Sequence, residues 1–277
     1  MPTFSSHDGT VLAYHLAGQG DPLICLPGGP GRPSGYLGDL GGLTTSRRLI
    51  LLDNRGTGGS AAPADPSGYR ADRLVADVEA LREHLGLAAI DLLAHSAAAD
   101  VAVLYAARHP HRVRRLVLVT PSPRAVGLEP TDEEWLAGIR RRSAEPWYEK
   151  AFAALEAWES GDEREETYLA ARPFLYSPWD RTAEAHARSF PPVRAAAEGF
   201  HGEGAFDPDA TRTAVKRLPA PVLVISGEND PSPTPDQAAT YAALFPEGRS
   251  TSVPGAHFPW VTAPERFAAS VERFLAA

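Results

Sequence analysis

The chain has 277 residues, 43% hydrophobic and 22% charged, a composition that can bury a large core and excludes a disordered or collagen-like chain. A formal net charge of −8 at pH 7 argues against nucleic acid as a partner, which asks for a basic surface. No apolar run reaches the roughly 20 residues that span a bilayer, and Met1-Pro2-Thr3-Phe4 begins neither a charged nor an apolar leader, so a cytoplasmic protein without a membrane partner is the expectation.

In chain order, residues 3–6 and 11–16 read as an opening hairpin around Asp8-Gly9, followed by strands at 23–26 and 49–53. Cys25, the single cysteine, sits in the apolar run Leu23-Ile24-Cys25-Leu26 and is expected to be a buried structural thiol, since a reactive one needs an electropositive, partly open setting. The spacing predicts a helix over 71–85, with Leu74, Val75, Val78, Leu81 and Leu85 on one face and Gly86 as its stop. Residues 89–93 then read as a buried strand, 97–108 as a helix ended by His109-Pro110, and 116–119 as the next strand, which together make a βαβ crossover. His109 and His111 are the one close histidine pair, with no cysteine or carboxylate at ligand spacing, so neither a metal nor a cofactor is expected.

After Pro121 the pattern changes. Residues 122–216 show no convincing strand, only amphipathic helical stretches broken at Ser160-Gly161-Asp162 and Ser177-Pro178. Trp135, Trp147, Trp158 and Trp179 lie here and are expected to pack against the main domain, the alternative being that they line a pocket beneath. Residues 129–166 hold 12 acidic and 5 basic side chains, read as solvated helix faces, with an acidic lid for a cationic substrate as the sharper alternative.

Alternation resumes with the apolar run 221–227, a helix over 237–245, a short strand at 250–253 and a closing helix over 264–277. The sum is an α/β protein with a mostly parallel, doubly wound sheet. Its core is expected from 1–121 and 217–277, with 122–216 as an inserted helical cap.

The chemistry is carried by Ala94-His95-Ser96-Ala97-Ala98. A serine between small residues at a strand-to-helix turn has the form of a nucleophile elbow, in which strand and helix approach so closely that only small neighbours fit. Serine needs a base, which histidine supplies near neutrality, and in open parallel sheets the partners come from loops at the carboxyl ends of strands. Asp230 lies just past the strand at 222–226 and His257 just past the one at 250–253, which gives the chain order Ser, Asp, His. Glu228 is the rival acid, closer to its strand. His95 adjoins Ser96 but points elsewhere on an elbow, and is read as structural. The backbone N–H of Ala97, at the start of a helix, is one oxyanion donor. Gly29 is the preferred second donor and Gly28 the next choice, from the loop Pro27-Gly28-Gly29-Pro30-Gly31.

Taken together, that glycine-proline loop, the segment Asp53-Asn54-Arg55-Gly56-Thr57-Gly58-Gly59-Ser60, the Ser96 turn, Asp230 and His257 resemble the α/β-hydrolases related to proline iminopeptidase. The corresponding segments of that family read H-G-G-P-G, D-Q-R-G-x-G-x-S and G-x-S-x-G, followed by an acid after a late strand and a late histidine. The resemblance implies an α/β-hydrolase fold and a serine hydrolase that works through an acyl-enzyme, in the first instance an aminopeptidase releasing an N-terminal residue from small peptides or amides. Pro27 replaces the loop histidine, Asn54 the glutamine, Ala94 and Ala98 the elbow glycines, and Ala97 an aromatic residue, departures that loosen the tie to proline substrates.

Family aminopeptidases hold the substrate's free amino terminus with carboxylates of the cap. Glu198 and Glu203 are the counterparts by position, with a solvated turn as the other reading. Two alternatives stay open: an esterase, lactonase or amidase acting on a small hydrophobic acyl substrate, and a non-hydrolytic protein that binds or isomerises a peptide-like natural product. Every one of these readings has a small molecule or a short peptide as the partner.

Overall fold

The structure, a computed structural model, describes all 277 residues. Eight strands form one sheet: β1 (Thr3–Ser5), β2 (Val11–Ala17), β3 (Asp21–Leu26), β4 (Arg47–Leu52), β5 (Ile90–His95), β6 (Val113–Val119), β7 (Val222–Gly227) and β8 (Gly248–Val253). Their spatial order is β1-β2-β4-β3-β5-β6-β7-β8. β1, β2 and β4 pair antiparallel, and every pairing from β4 onward is parallel.

The central strands are apolar without interruption because both of their faces are covered. Side chains still alternate between the two faces. Ile24, Leu26, Leu92, Ala94, Leu116, Leu118, Val222 and Val224 enter one apolar cluster, while Leu23, Cys25, Leu93, Val117, Val119, Leu223 and Ile225 enter the other. Cys25 is fully enclosed, and burial pushes its thiol up, so it packs as a small hydrophobe.

On the first face lie α1 (Ala71–His84) and α2 (Ala98–Arg108). The face of α1 read from the sequence is the one that packs, with Leu74, Val75, Val78 and Leu81 buried. The chain between β6 and β7 holds α3 (Asp132–Arg140), α4 (Tyr148–Glu159), α5 (Glu165–Ala171), α6 (Arg181–Arg188), α7 (Arg194–Phe200) and α8 (Pro208–Val215), and no strand. α3 starts on a reciprocal cap, in which the Thr131 hydroxyl accepts from the Glu134 N–H and the Glu134 carboxylate accepts from the Thr131 N–H. At the two ends of this segment, Ala125, Val126, Phe200 and Val215 join the first cluster of the main body.

α9 (Pro235–Ala242) completes that first face, whereas α10 (Pro259–Thr262) and α11 (Pro264–Leu275) cover the second through Trp260, Phe267, Val271 and Phe274. No helix is long and apolar enough to cross a membrane. Leu26 pairs with Ala94, His95 with Val119, and Gly227 with Val253, so the loops that follow β3, β5, β6, β7 and β8 all leave the same edge of the sheet. That edge is where open parallel sheets gather their reactive groups.

Candidate active site

β5 ends at His95 and α2 begins at Ala98, and Ser96 turns the chain between them with φ +53°, a left-handed conformation that a serine adopts only under constraint. Its N–H donates to the Val119 carbonyl at 2.9 Å, and its own carbonyl accepts from the amides of Ala99 (2.9 Å) and Ser122 (3.1 Å). The loop after β3 presses on this turn. A Cβ added to Gly28 would lie 2.4 Å from the His95 carbonyl oxygen and 2.9 Å from the Ser96 Cβ, so the position requires glycine.

The structure brings Ser96, His257 and Asp230 together although the sequence separates them widely. His257 Nε2 lies 2.9 Å from Ser96 Oγ, and its Nδ1 lies 2.9 Å from Asp230 Oδ2. These contacts fix the tautomer: Nδ1–H donates to the carboxylate, and Nε2 accepts from the serine hydroxyl. Asp230 is wholly enclosed. Burial pushes its carboxyl up, while His257 and the Ser232 N–H, which donates to Oδ1 at 3.1 Å, pull it back. The rival acid, Glu228, is exposed.

The backbone N–H groups of Gly29 and Ala97 have no acceptor within the chain, and Ala97 immediately precedes α2, where the helix dipole favours negative charge. Gly28 differs, because its N–H donates to the Tyr36 hydroxyl at 2.7 Å. The neighbouring loop is held by Asn54, whose side-chain amide donates to the Pro27 carbonyl at 3.1 Å. Asp53 accepts from the Ser34 N–H (2.9 Å), the Ser34 hydroxyl (2.7 Å) and the Gly59 N–H (2.9 Å). Arg55 meets Asp77 through two bonds of 2.7 and 2.6 Å, deep in the core. The segment 53–60 is thus a brace for the glycine loop rather than a set of reacting groups.

His95, read from the sequence as structural, has a specific task that no spacing in the chain reveals. Its Nε2 faces the His257 main-chain oxygen at 3.0 Å, and its Nδ1 faces the Tyr36 hydroxyl at 2.7 Å. Only one orientation of donors satisfies both contacts: Gly28 N–H to Tyr36 O, Tyr36 O–H to His95 Nδ1, and His95 Nε2–H to the His257 carbonyl. Burial holds the His95 pKa well below its usual value, so the ring stays neutral as the chain of bonds requires. Thr120 Oγ1 donates to the same His257 carbonyl at 3.0 Å, and the His257 N–H donates to the Leu175 carbonyl at 3.0 Å.

A cavity of about 170 Å³ reaches His257 from the helical segment between β6 and β7. Trp135 and Trp158 line it, the alternative that the sequence left open, although Trp135 also packs against Ile139, Tyr148, Ala151 and Phe174. Trp147 packs within the helical segment, its ring centroid 5.1 Å from Phe174, and Trp179 packs on the main body, 5.5 Å from Tyr176, while both also border a separate cavity. The acidic side chains of residues 129–166 are exposed or half-buried, and none lines this cavity. Glu198 and Glu203 are exposed and lie outside it, and Glu198 pairs with Arg194 at 2.6 Å. A second contact between the helical segment and the reacting groups was not legible in the sequence: Arg141 donates to the Asp230 main-chain oxygen at 2.7 Å.

With the geometry established, comparison with known proteins gives a consistent result. The alpha/beta hydrolase fold family matches residues 21–264. A proline iminopeptidase of Heyndrickxia coagulans is 27% identical over 273 residues, covering 93% of this chain and 91% of that protein. A 2-hydroxymuconate semialdehyde hydrolase of Pseudomonas putida is 32% identical over 277 residues, covering 95% and 89%. Among solved structures, an esterase from Rhodococcus sp. superposes with a TM-score of 0.75 at 26% identity, covering 100% of this chain and 98% of that one. The chain belongs to the α/β-hydrolase fold family and is related to the proline iminopeptidases.

Proposed function

We propose that the protein is a serine hydrolase that opens esters of small acyl groups through a covalent acyl-enzyme. The observation that carries this reading is the continuous line of hydrogen bonds from Ser96 Oγ through His257 to the enclosed Asp230, each 2.9 Å long. In the proposed cycle His257 Nε2 takes the hydroxyl proton as Ser96 Oγ bonds to the acyl carbon, then gives that proton to the departing oxygen. Asp230 holds the ring and stabilises its charged form. The N–H groups of Gly29 and Ala97 receive the developing oxyanion. Water, deprotonated by the same imidazole, then attacks the acyl carbon and releases the acid and Ser96.

The ester reading takes precedence over the aminopeptidase one because the cavity beside His257 has no carboxylate to hold a substrate amine. Its lining is largely apolar, and Glu198 and Glu203 are elsewhere. The aminopeptidase reading is favoured by the similarity to proline iminopeptidases. We propose that the helical segment 122–216 serves as the lid that shapes this cavity. The test is a parallel screen of proline 2-naphthylamide and short-chain 4-nitrophenyl esters, run on the parent protein and on Ser96→Ala. Ester turnover that disappears in Ser96→Ala supports the reading. Preferential cleavage of the naphthylamide would transfer the assignment to the aminopeptidases.

A further inference from the structure

The cavity that reaches His257 is lined by one charged side chain, and it is unpaired. Arg172 sits at the start of a short 3-10 turn, Arg172–Leu175, just after α5. Its guanidinium carbon lies 3.5 Å from the centroid of the Tyr168 ring. No carboxylate lies within ion-pairing distance and no acceptor takes its N–H groups. By contrast Arg47, Arg55 and Arg82 each meet a carboxylate within 3 Å. Arg172 is half-buried and none of its nitrogens is sealed off without a partner, so its donors are open to solvent beside the cavity that it lines.

A second cation adds to the same imbalance. Arg32, 6% exposed, spends its Nε and Nη2 on the main-chain oxygens of Phe190 and Ser189 at 3.0 and 2.9 Å, and likewise has no carboxylate partner. Burial pushes Arg172 down to about 9, and the charge on Arg32 acts in the same direction. Arg172 therefore remains protonated at neutral pH in surroundings that are apolar and already positive. A half-buried cation with no counter-charge from the protein is a place where an anionic ligand is held more strongly than in bulk water.

The orientation is also specific. Tyr168 covers a face of the guanidinium, which leaves its edge, where the N–H donors point, free for a planar two-oxygen acceptor. We propose that this cavity is a carboxylate-binding subsite, in which Arg172 pairs with an anionic group of the substrate while Trp135, Trp158 and Phe174 enclose the apolar part between that group and the reacting carbonyl. The substrate class is then the monoesters of dicarboxylic acids and their cyclic counterparts. The cavity, about 170 Å³, is close to the roughly 150 Å³ that holds a benzene ring, so one ring or a short chain fits as the apolar part. The placing of the scissile bond rests on the serine-hydrolase reading; the anion contact does not.

Two measurements separate the claims. In the first, phenylacetate and its neutral isostere phenylacetamide are titrated calorimetrically into full-length Ser96→Ala protein. The expected result is at least a tenfold preference for the carboxylate, abolished in Ser96→Ala/Arg172→Gln and partly retained in Ser96→Ala/Arg172→Lys. Equal affinity for the two probes, no binding of either at 20 mM, or a preference that survives Arg172→Gln would overturn the subsite, and the first two of these results do not depend on any Arg172 variant folding. In the second, kcat/KM is compared for mono-4-nitrophenyl glutarate and 4-nitrophenyl pentanoate. The subsite predicts that the glutarate ester is preferred and that the ratio falls at least tenfold in Arg172→Gln. Cleavage of both esters without a carboxylate preference sinks the subsite and leaves the hydrolase. Cleavage of neither, with a phenylacetate preference that follows Arg172, sinks the hydrolase and leaves the subsite.

Discussion

The imidazole of His95 donates through Nε2 to the main-chain oxygen of His257 at 3.0 Å, so the residue before the serine holds the backbone of the residue that would take the serine's proton. The far side of the same ring reaches the glycine loop through the Tyr36 hydroxyl, at 2.7 Å to His95 and 2.7 Å to the Gly28 N–H. The loop that carries Gly29, a proposed oxyanion donor, and the loop that carries His257, the proposed base, are thus set relative to each other by one enclosed line of hydrogen bonds, separate from the Ser96–His257 contact. Small displacements at a reacting centre are expensive, which gives the line a functional consequence.

Tyr36→Phe removes the middle of that line and strands two polar groups, the Gly28 N–H and His95 Nδ1. The expected stability loss is about 1–3 kcal/mol per stranded group, read from denaturant unfolding. On the best ester, kcat should fall tenfold or more with little change in KM, because the fault lies in the alignment of groups rather than in binding. A variant that loses stability but keeps kcat would reduce the line to a packing feature.

Arg55→Ala addresses the brace behind the glycine loop. The side chains of Arg55 and Asp77 are 4% and 2% exposed, so truncating the cation leaves a carboxylate buried without its main partner. The expected loss is about 3–5 kcal/mol of unfolding free energy. A change below 1 kcal/mol would show that Asp77 finds water or another donor.

Stability should also decline in mild acid through His186. Its ring accepts from the Tyr176 hydroxyl at Nδ1 (2.7 Å) and donates through Nε2 to the Tyr36 carbonyl (2.9 Å), so the native state requires the neutral form. Burial pushes its pKa down to about 4, from the ordinary 6.5. Between those values the unfolded chain binds the extra proton, so the stabilisation is complete above pH 6.5 and is lost as pH falls toward 4. The slope is at most about 1.4 kcal/mol per pH unit. His186→Gln should flatten the fall in melting temperature between pH 7 and pH 4.5 relative to the parent, and parallel curves would exclude His186 as a source of the acid sensitivity.

The sheet was legible in the sequence because buried parallel strands are continuous apolar runs, and runs such as 221–227 leave few other readings. Strand ends were less so: β4 begins at Arg47 and β8 at Gly248, earlier than the apolar residues indicate, because the ladder hydrogen bonds continue past the covered stretch. Ser96, Asp230 and His257 were readable because each lies within four residues of a strand end, and the sheet edge does the rest. Tyr36, Arg141, Arg172 and the working role of His95 were not. Tyr36, His95 and Arg141 act through contacts between distant segments, Tyr36–His95 at a separation of 59 residues, His95–His257 at 162 and Arg141–Asp230 at 89, and no local periodicity encodes such pairs, whereas Arg172 stacks on a ring only four residues away and nothing in the sequence separates it from the other arginines of residues 122–216. Two tryptophans went the other way for a related reason, since a helix pattern marks which side is apolar without telling a packed face from one that borders a cavity.

The central claim is that Ser96 is the nucleophile, and covalent trapping tests it most directly. The protein is treated with a fluorophosphonate probe and the adduct is located by peptide mass spectrometry, with Ser96→Ala as the control. The expected result is a single adduct on Ser96 and none in the variant. An unlabelled parent protein, or an adduct on another side chain that persists in Ser96→Ala, would contradict the assignment.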